Sequence, residues 1–397
     1  MDGRALQDLL DRGLSAANVS GSGVAIVVGP DGILAEAARG GVTADSPMLL
    51  GSLSKAFTAV AILRLVEQGL VDLDEVVPMG LPGTNVRDCL RHTTGLRADG
   101  SLAGDRKFRY SNVNYNFLGE LIERRTGMGY LEFVNQEVLQ PIGVATHEAP
   151  VRSSVGVFGI PVPVAGTQLD SNGWITPASG GLCLTARDVA KFLQAYLNGT
   201  FDLSAQTVDR VSADGDPAVG EEGDYGFGWV VKQMPVTPPV PHTATPLVFH
   251  TGKLPSFTTM MALAPEHKIG VVILTNQGDF LVGTPLVEKV GECIVAWVLG
   301  ELGVTTNGVA LPATNDRRLK RAQLSVGYAF YLLVCWFLGK RLSPAAAIPL
   351  ALVAPVTVRL LSRTPAPWII RFAPDFSCVL AGGATLQVAQ ALWARRR

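Results

Sequence analysis

The chain has 397 residues, 48% of them hydrophobic and only 17% charged, with a formal net charge of −1. Its mean hydropathy of +0.28 excludes a disordered chain and marks some segment as unusually apolar for a soluble enzyme. The charge is asymmetric: residues 317–397 hold 12 Lys/Arg and one acid, Asp375, and the remaining 21 basic and 33 acidic residues give the body −12. An acidic body with a basic, apolar tail excludes a nucleic-acid reader and suggests a globular domain with a membrane element.

The amino terminus lacks a basic stretch followed by an apolar one, so no secretory signal is expected. Leu6, Leu9, Leu10 and Leu14 instead form a helical stripe. Residues 23–40 read as a β-hairpin turning at Gly29-Pro30-Asp31-Gly32. Residues 54–70 form a helix that is apolar nearly all round, hence buried. Further helices are predicted at 115–126, 130–138 and 185–198, the last with Thr185 as N-cap. Strand patterns return in YGFGWVVKQ, PLVFHTG, SFTTMMALAP and KIGVVILTNQ, followed by a helix at 286–302. Strands at both ends of a helical middle imply one sheet assembled from distant parts of the chain, with the helices inserted between them.

Three apolar stretches occupy the tail, 322–339, 344–358 and 376–394, each reaching or approaching bilayer length. Arg/Lys clusters flank them, and Tyr328, Tyr331, Trp336, Trp368 and Trp393 suit the interfaces. They read as membrane-spanning helices rather than a soluble bundle, because no charged face is visible. With seven basic residues on one side and five on the other, orientation stays open. The expected layout is a catalytic domain at 1–304 with a helical subdomain at about 56–222, a basic linker at 305–321, and a membrane anchor at 322–397. The five cysteines, Cys89, Cys183, Cys293, Cys335 and Cys378, show no ligand spacing and read as buried free thiols; no metal or other cofactor is expected.

Ser52 and Lys55, at i and i+3 in LGSLSKAFT, share one face at a helix entrance. Unpaired N–H groups there favour developing negative charge, and a desolvated lysine can serve as a base. Ser54 has no lysine three residues on and is the weaker nucleophile. No GxSxG, phosphate-binding loop or zinc spacing occurs. The run FRYSNVNY supplies Tyr110-x-Asn112, and His250-Thr251-Gly252 follows the strand-like PLVF.

With these elements the chain resembles the serine β-lactamase and penicillin-binding-protein superfamily, on the branch of class C β-lactamases, DD-carboxypeptidases, D-aminopeptidases and family VIII esterases. LRHTTGL at 90–96, GGLCLTARD at 180–188 (with Leu184 where the family has Ser), YGFGW at 225–229 and LTN at 274–276 extend the resemblance over about residues 5–300. It implies an antiparallel sheet flanked by helices with an inserted helical subdomain, an α+β fold, and an acyl-enzyme on Ser52. Lys55 and Tyr110 would share the proton transfers, with the base left open between them. Asn112 would orient Lys55 and the substrate amide. His250 stands where many relatives carry Lys. The amides of Ser52 and Lys253 would form the oxyanion hole, with Gly252 letting substrate approach the strand. His92 reads as structural, and His147, His242 and His267 have no evident partners. Lys253-Leu254-Pro255-Ser256-Phe257 replaces a Gly-rich turn, which makes a stiffer, more apolar rim. The expected activity is hydrolysis of a small-molecule or peptide ester, or of a D-amino-acid-type amide. An acyltransferase or peptide-releasing thioesterase, or a non-catalytic penicillin-binding scaffold, are the alternatives.

Overall fold

The computed structural model describes residues 1–16, 22–148, 150–157, 160–164, 175–213, 216, 223–234, 245–278, 283–306 and 309–311, with isolated residues of the tail. In chain order, helix α1 (Gly3–Ala16) leads into the hairpin β1 (Gly23–Gly29) and β2 (Gly32–Arg39), then β3 (Met48–Leu49). Helices α2 (Ser54–Glu67), α3 (Val86–Leu90), α4 (Asn112–Thr126) and α5 (Tyr130–Val134) follow. Next come β4 (Ser153–Val157), β5 (Ile160–Val164), β6 (Cys183–Leu184), α6 (Ala186–Leu197) and α7 (Leu203–Thr207). The chain then runs through β7 (Val211–Ser212), β8 (Asp224–Tyr225), β9 (Val230–Met234), β10 (Thr245–Leu254), β11 (Phe257–Ala264), β12 (Ile269–Thr275) and β13 (Gln277–Gly278) to α8 (Gly283–Glu301).

Among the described residues the main sheet has the order β2-β1-β12-β11-β10-β9-β8-β7, and its neighbours pair antiparallel. Strand β1 lies inside it, with Val24 opposite Leu274 and Val28 opposite Gly270. All seven residues of β1 are buried, as expected of a strand covered on both faces. Its side chains alternate between two cores. Val24, Ile26 and Val28 join Phe57 and Phe192 on the side of α2 and α6; Ala25 and Val27 join Leu6, Leu10 and Leu14 of α1 and Ile294 of α8.

Helix α2 is buried almost all round because it runs through the first of these cores, where Phe57 stacks on Phe192 with ring centroids 3.7 Å apart. It begins after a 3₁₀ turn at Gly51–Leu53 and ends at Glu67, short of the expected residue 70. Thr185 caps α6 as expected: its hydroxyl accepts from Asp188 N–H while the Asp188 carboxylate accepts from Thr185 N–H. The helix expected at 130–138 is divided, α5 passing into a π-helical turn at Asn135–Leu139. The strand read in YGFGWVVKQ is broken into β8 and β9, because Gly228 (φ +77°) lies against the start of α2, where a Cβ would come within 2.8 Å of the Lys55 carbonyl. Cys89, Cys183 and Cys293 are free, buried thiols.

Among the described residues no helix is long and apolar enough to cross a membrane. The expected spans at 322–339, 344–358 and 376–394 lie, apart from single residues, outside the described part of the chain.

Candidate active site

The nucleophile turn is seated between two strands. Leu50 N–H donates to Leu182 O at 2.9 Å, and the Leu50 carbonyl accepts from the Thr259 hydroxyl of β11 at 2.6 Å. Gly51 then takes φ +57°, and a Cβ there would stand 2.9 Å from the Lys253 amide nitrogen. Only glycine permits both the dihedral and the approach. The Ser52 turn therefore lies beside the Lys253 backbone N–H, the pair of amides that the resemblance implies for an oxyanion hole. Gly252 is also required by packing. A Cβ on it would come within 2.1 Å of both the Leu50 carbonyl and the Thr259 hydroxyl. Its missing side chain admits the nucleophile turn.

Ser52 is partly exposed, whereas Lys55, one turn on, is fully buried. Lys55 Nζ has three oxygens in reach: Ser52 Oγ at 3.1 Å, Asn112 Oδ1 at 2.8 Å and the Ser179 carbonyl at 2.6 Å. Burial pushes its pKa well below the ordinary lysine value. A neutral amine has two hydrogens and one lone pair. Asn112 Oδ1 and Ser179 O can only accept, so in the neutral form they take the two hydrogens and the lone pair faces the Ser52 hydroxyl, whereas the ammonium form donates to all three oxygens. The site thus holds a serine hydroxyl 3.1 Å from an amine that burial drives toward its neutral, proton-accepting form.

Tyr110 precedes α4 in an extended segment. The residue is partly exposed, but its hydroxyl is buried and closes no well-formed hydrogen bond. Burial raises the phenol pKa far above its usual value, with the neighbouring Ser52 hydroxyl opposing the rise. The Lys55 ammonium position lies 4.8 Å from the centre of the Tyr110 ring. His92 backs that ring, with centroids 4.5 Å apart. It holds φ +59°, and its Nδ1 accepts from Ser111 N–H at 3.3 Å and from the Asn114 amide at 3.1 Å. His92 therefore anchors the segment that carries Tyr110 and Asn112.

His250 is buried, and both ring nitrogens are engaged within the fold. Nδ1–H donates to the Thr251 carbonyl at 2.8 Å, and Nε2 accepts from the Tyr225 hydroxyl at 3.1 Å. Burial first, then the Lys55 and Lys253 charges, push its pKa down to about 3, so the ring is neutral. Thr251 follows it, half-buried, on the opposite face of β10. The Lys253 side chain turns to Glu288 of α8 at 2.9 Å. Ser52, Lys55, Tyr110, Asn112 and His250 thus come together where α2, the start of α4 and β10 meet, with the Gly252–Lys253 backbone beside the nucleophile turn, while the Thr251 side chain lies on the other face of β10 and that of Lys253 on α8.

One contributor carries no mark in the sequence reading: Ser179 acts through a backbone carbonyl, which leaves no side-chain signature. Tyr225 was visible only as part of YGFGW.

A family model described as "Beta-lactamase" matches residues 6–285. Among curated relatives, Penicillin-binding protein 4* of Bacillus subtilis (strain 168) is 24% identical over 281 residues, covering 58% of this chain and 60% of the relative. Protein flp of Staphylococcus aureus (strain NCTC 8325 / PS 47) is 25% identical over 292 residues, covering 62% of this chain and 56% of the relative. The chain thus spans under two thirds of the length of these relatives. Among solved structures, the octameric penicillin-binding protein homologue from Pyrococcus abyssi superposes with a TM-score of 0.61 at 21% identity, covering 76% of this chain and 78% of that one. The D-alanine carboxypeptidase AmpC from Burkholderia cenocepacia gives 0.58 at 19% identity, covering 72% and 98%. Both show the same α+β fold, an antiparallel sheet with helices.

Proposed function

The chain belongs to the beta-lactamase family of serine hydrolases, and from that premise we propose that it hydrolyses a neutral ester or D-amino-acid-type amide through an acyl-enzyme on Ser52. The observation that carries this reading is the buried Lys55 amine, whose other two partners are obligate acceptors and whose third is Ser52 Oγ. The Ser52 hydroxyl proton passes to the Lys55 lone pair as Oγ bonds to the substrate carbonyl carbon. The carbonyl oxygen becomes an oxyanion facing the amides of Ser52 and Lys253. Collapse breaks the bond to the leaving group, which departs with the proton taken from Ser52. Water then attacks the acyl carbon, its proton returning through Lys55 to Ser52 Oγ as the acid is released. Between the two candidate bases, burial favours the amine: it drives Lys55 toward its neutral, basic form and Tyr110 toward its protonated, donating form.

Substrate charge is the second element. The basic side chains at the site are all engaged: Lys55 internally, His250 neutral, and Lys253 with Glu288. A free carboxylate on the substrate would find no unpaired cation among them, which favours neutral acyl donors over β-lactams. We also place the chain on a bilayer through its basic tail at 317–397, on the strength of the three apolar stretches and their flanking arginines.

The test is a fluorophosphonate probe together with a p-nitrophenyl ester. Ser52→Ala and Lys55→Ala should each lower ester turnover by at least about 10³-fold without unfolding the protein, and labelling should vanish in Ser52→Ala. Substantial turnover by Ser52→Ala would overturn the assignment, and a protein that accepts no acyl donor would be a scaffold.

A further inference from the structure

The base hypothesis makes the position of one carbonyl decisive. If Ser179 O moves away, the Lys55 lone pair is no longer confined to the Ser52 side. Ser179 lies in the π-helical turn Pro177–Gly181, and the preceding carbonyl of that turn, Ala178 O, accepts from the Thr58 hydroxyl at 2.7 Å. Thr58 stands three residues after Lys55, so the two side chains leave the same face of α2 and grip neighbouring carbonyls of one turn.

Thr58 has a single proton and two carbonyls in reach, Ala178 O at 2.7 Å and Ser54 O at 3.2 Å. The Tyr130 hydroxyl lies 2.7 Å from Thr58 Oγ1. With the Thr58 proton committed to a carbonyl, Tyr130 is the donor in that contact. Both hydroxyls are buried, so the pair is ordered in one sense: Tyr130 O–H to Thr58 Oγ1, Thr58 O–H to Ala178 O.

The turn packs closely on its neighbours: a Cβ on Gly119 of α4 would meet the Ala178 Cβ at 2.7 Å, and one on Gly180 would stand 3.0 Å from Ile175. Its first residues, Thr176, Pro177 and Ala178, also border a pocket of about 400 Å³ shared with Asn116 and Glu123 of α4 and with Tyr130. At that edge the Thr58 hydroxyl ties the Ala178 carbonyl to α2.

We propose that Thr58 and Tyr130 are positioning residues for Lys55, holding the 177–181 turn so that the Ser179 carbonyl takes one lysine hydrogen and the lone pair stays on Ser52. This rests on the reading of Lys55 as the base. The site gains a supporting layer that touches neither the substrate nor the nucleophile.

The rate of fluorophosphonate labelling at Ser52, measured against pH, tests it in Thr58→Val, Thr58→Ser and Tyr130→Phe. Thr58→Val and Tyr130→Phe should slow the maximal labelling rate by about tenfold, the scale of one lost hydrogen bond, with probe affinity unchanged. The acid limb of the profile should move to lower pH, because the Lys55 ammonium loses an acceptor. Thr58→Ser keeps the hydroxyl and should restore both rate and limb, which a packing role for the threonine methyl would not allow. If Thr58→Val does not fold, Tyr130→Phe, which removes one oxygen, decides the matter alone. Wild-type rate and an unmoved limb in Tyr130→Phe, or a Thr58→Ser as impaired as Thr58→Val, would overturn the proposal. Wild-type protein left unlabelled at Ser52 would instead remove the underlying reading of Ser52 and Lys55.

Discussion

Lowering the pH from about 6.5 to about 5 should destabilise this protein through two histidines, by an amount the structure sets. His250 is held neutral in the fold, with its pKa pushed down to about 3 from the ordinary 6.5, and His92 is pushed well below 6.5, chiefly by burial. The unfolded chain protonates both rings below the ordinary value while the native state does not. The unfolded state therefore binds more protons, and stability is lost as pH falls through this window. Below its ordinary pKa His250 contributes up to about 1.4 kcal/mol per pH unit, so 1.5 units cost about 2 kcal/mol, and His92 adds a loss of the same sign. That is a large fraction of the roughly 5–15 kcal/mol that holds a domain. The groups facing His250 are Lys55, Lys253, Tyr110 and Tyr225. Lys55, itself held below its ordinary value, adds a loss of the same sign that a comparison between variants removes. Ion-paired carboxylates such as Asp105, which Arg109 holds down to about 2, act at lower pH. Urea unfolding followed by tryptophan fluorescence at half-unit steps, in wild type and His250→Gln, reads the slopes. His250→Gln should flatten the dependence by about 1.4 kcal/mol per unit. Identical slopes in the two proteins would refute the argument that His250 is buried neutral.

Two further outcomes follow from geometry and from composition. Gly252→Ala should cost at least about 1–3 kcal/mol in unfolding free energy and most of the esterase rate, since its Cβ has two oxygens in its place; chemical denaturation and turnover read both effects. In cells expressing the full chain, the apolar stretches of the tail predict recovery with membranes after alkaline carbonate washing, and release into the wash would remove the bilayer proposal.

What could be read from the sequence was what local chemistry writes down. Thr185 and Asp188 announce the start of α6 because a capping box needs only four residues. The β1–β2 hairpin is visible in its apolar run and its Gly-Pro-Asp-Gly turn. Ser52, Lys55, Tyr110 and Asn112 carry functional groups at telling spacings. The hidden parts are those in which backbone does the chemistry or distant segments meet. The Ser179 carbonyl could be any residue's carbonyl. The packing need for Gly252 was hidden because the segment that fills its Cβ position, Leu50, is about two hundred residues away in the chain. The break between β8 and β9 comes from Gly228 meeting α2, a tertiary contact that a strand-like pattern conceals. Thr58 and Tyr130 were unremarkable because each sits in an ordinary helical pattern and their hydroxyls meet only in the tertiary fold, 72 positions apart in the chain.

The pairing of β1 with β12 has a consequence for how the chain is made. Val24 and Leu274 are neighbours in the sheet but some 250 positions apart in synthesis, so β1 emerges from the ribosome long before its partner exists. Until then a wholly apolar strand has an open edge, the kind of surface that recruits other chains. Any nascent chain that stalls ahead of residue 245 keeps that edge bare, with Ser52 and Lys55 already synthesised but with no β10 to lie against.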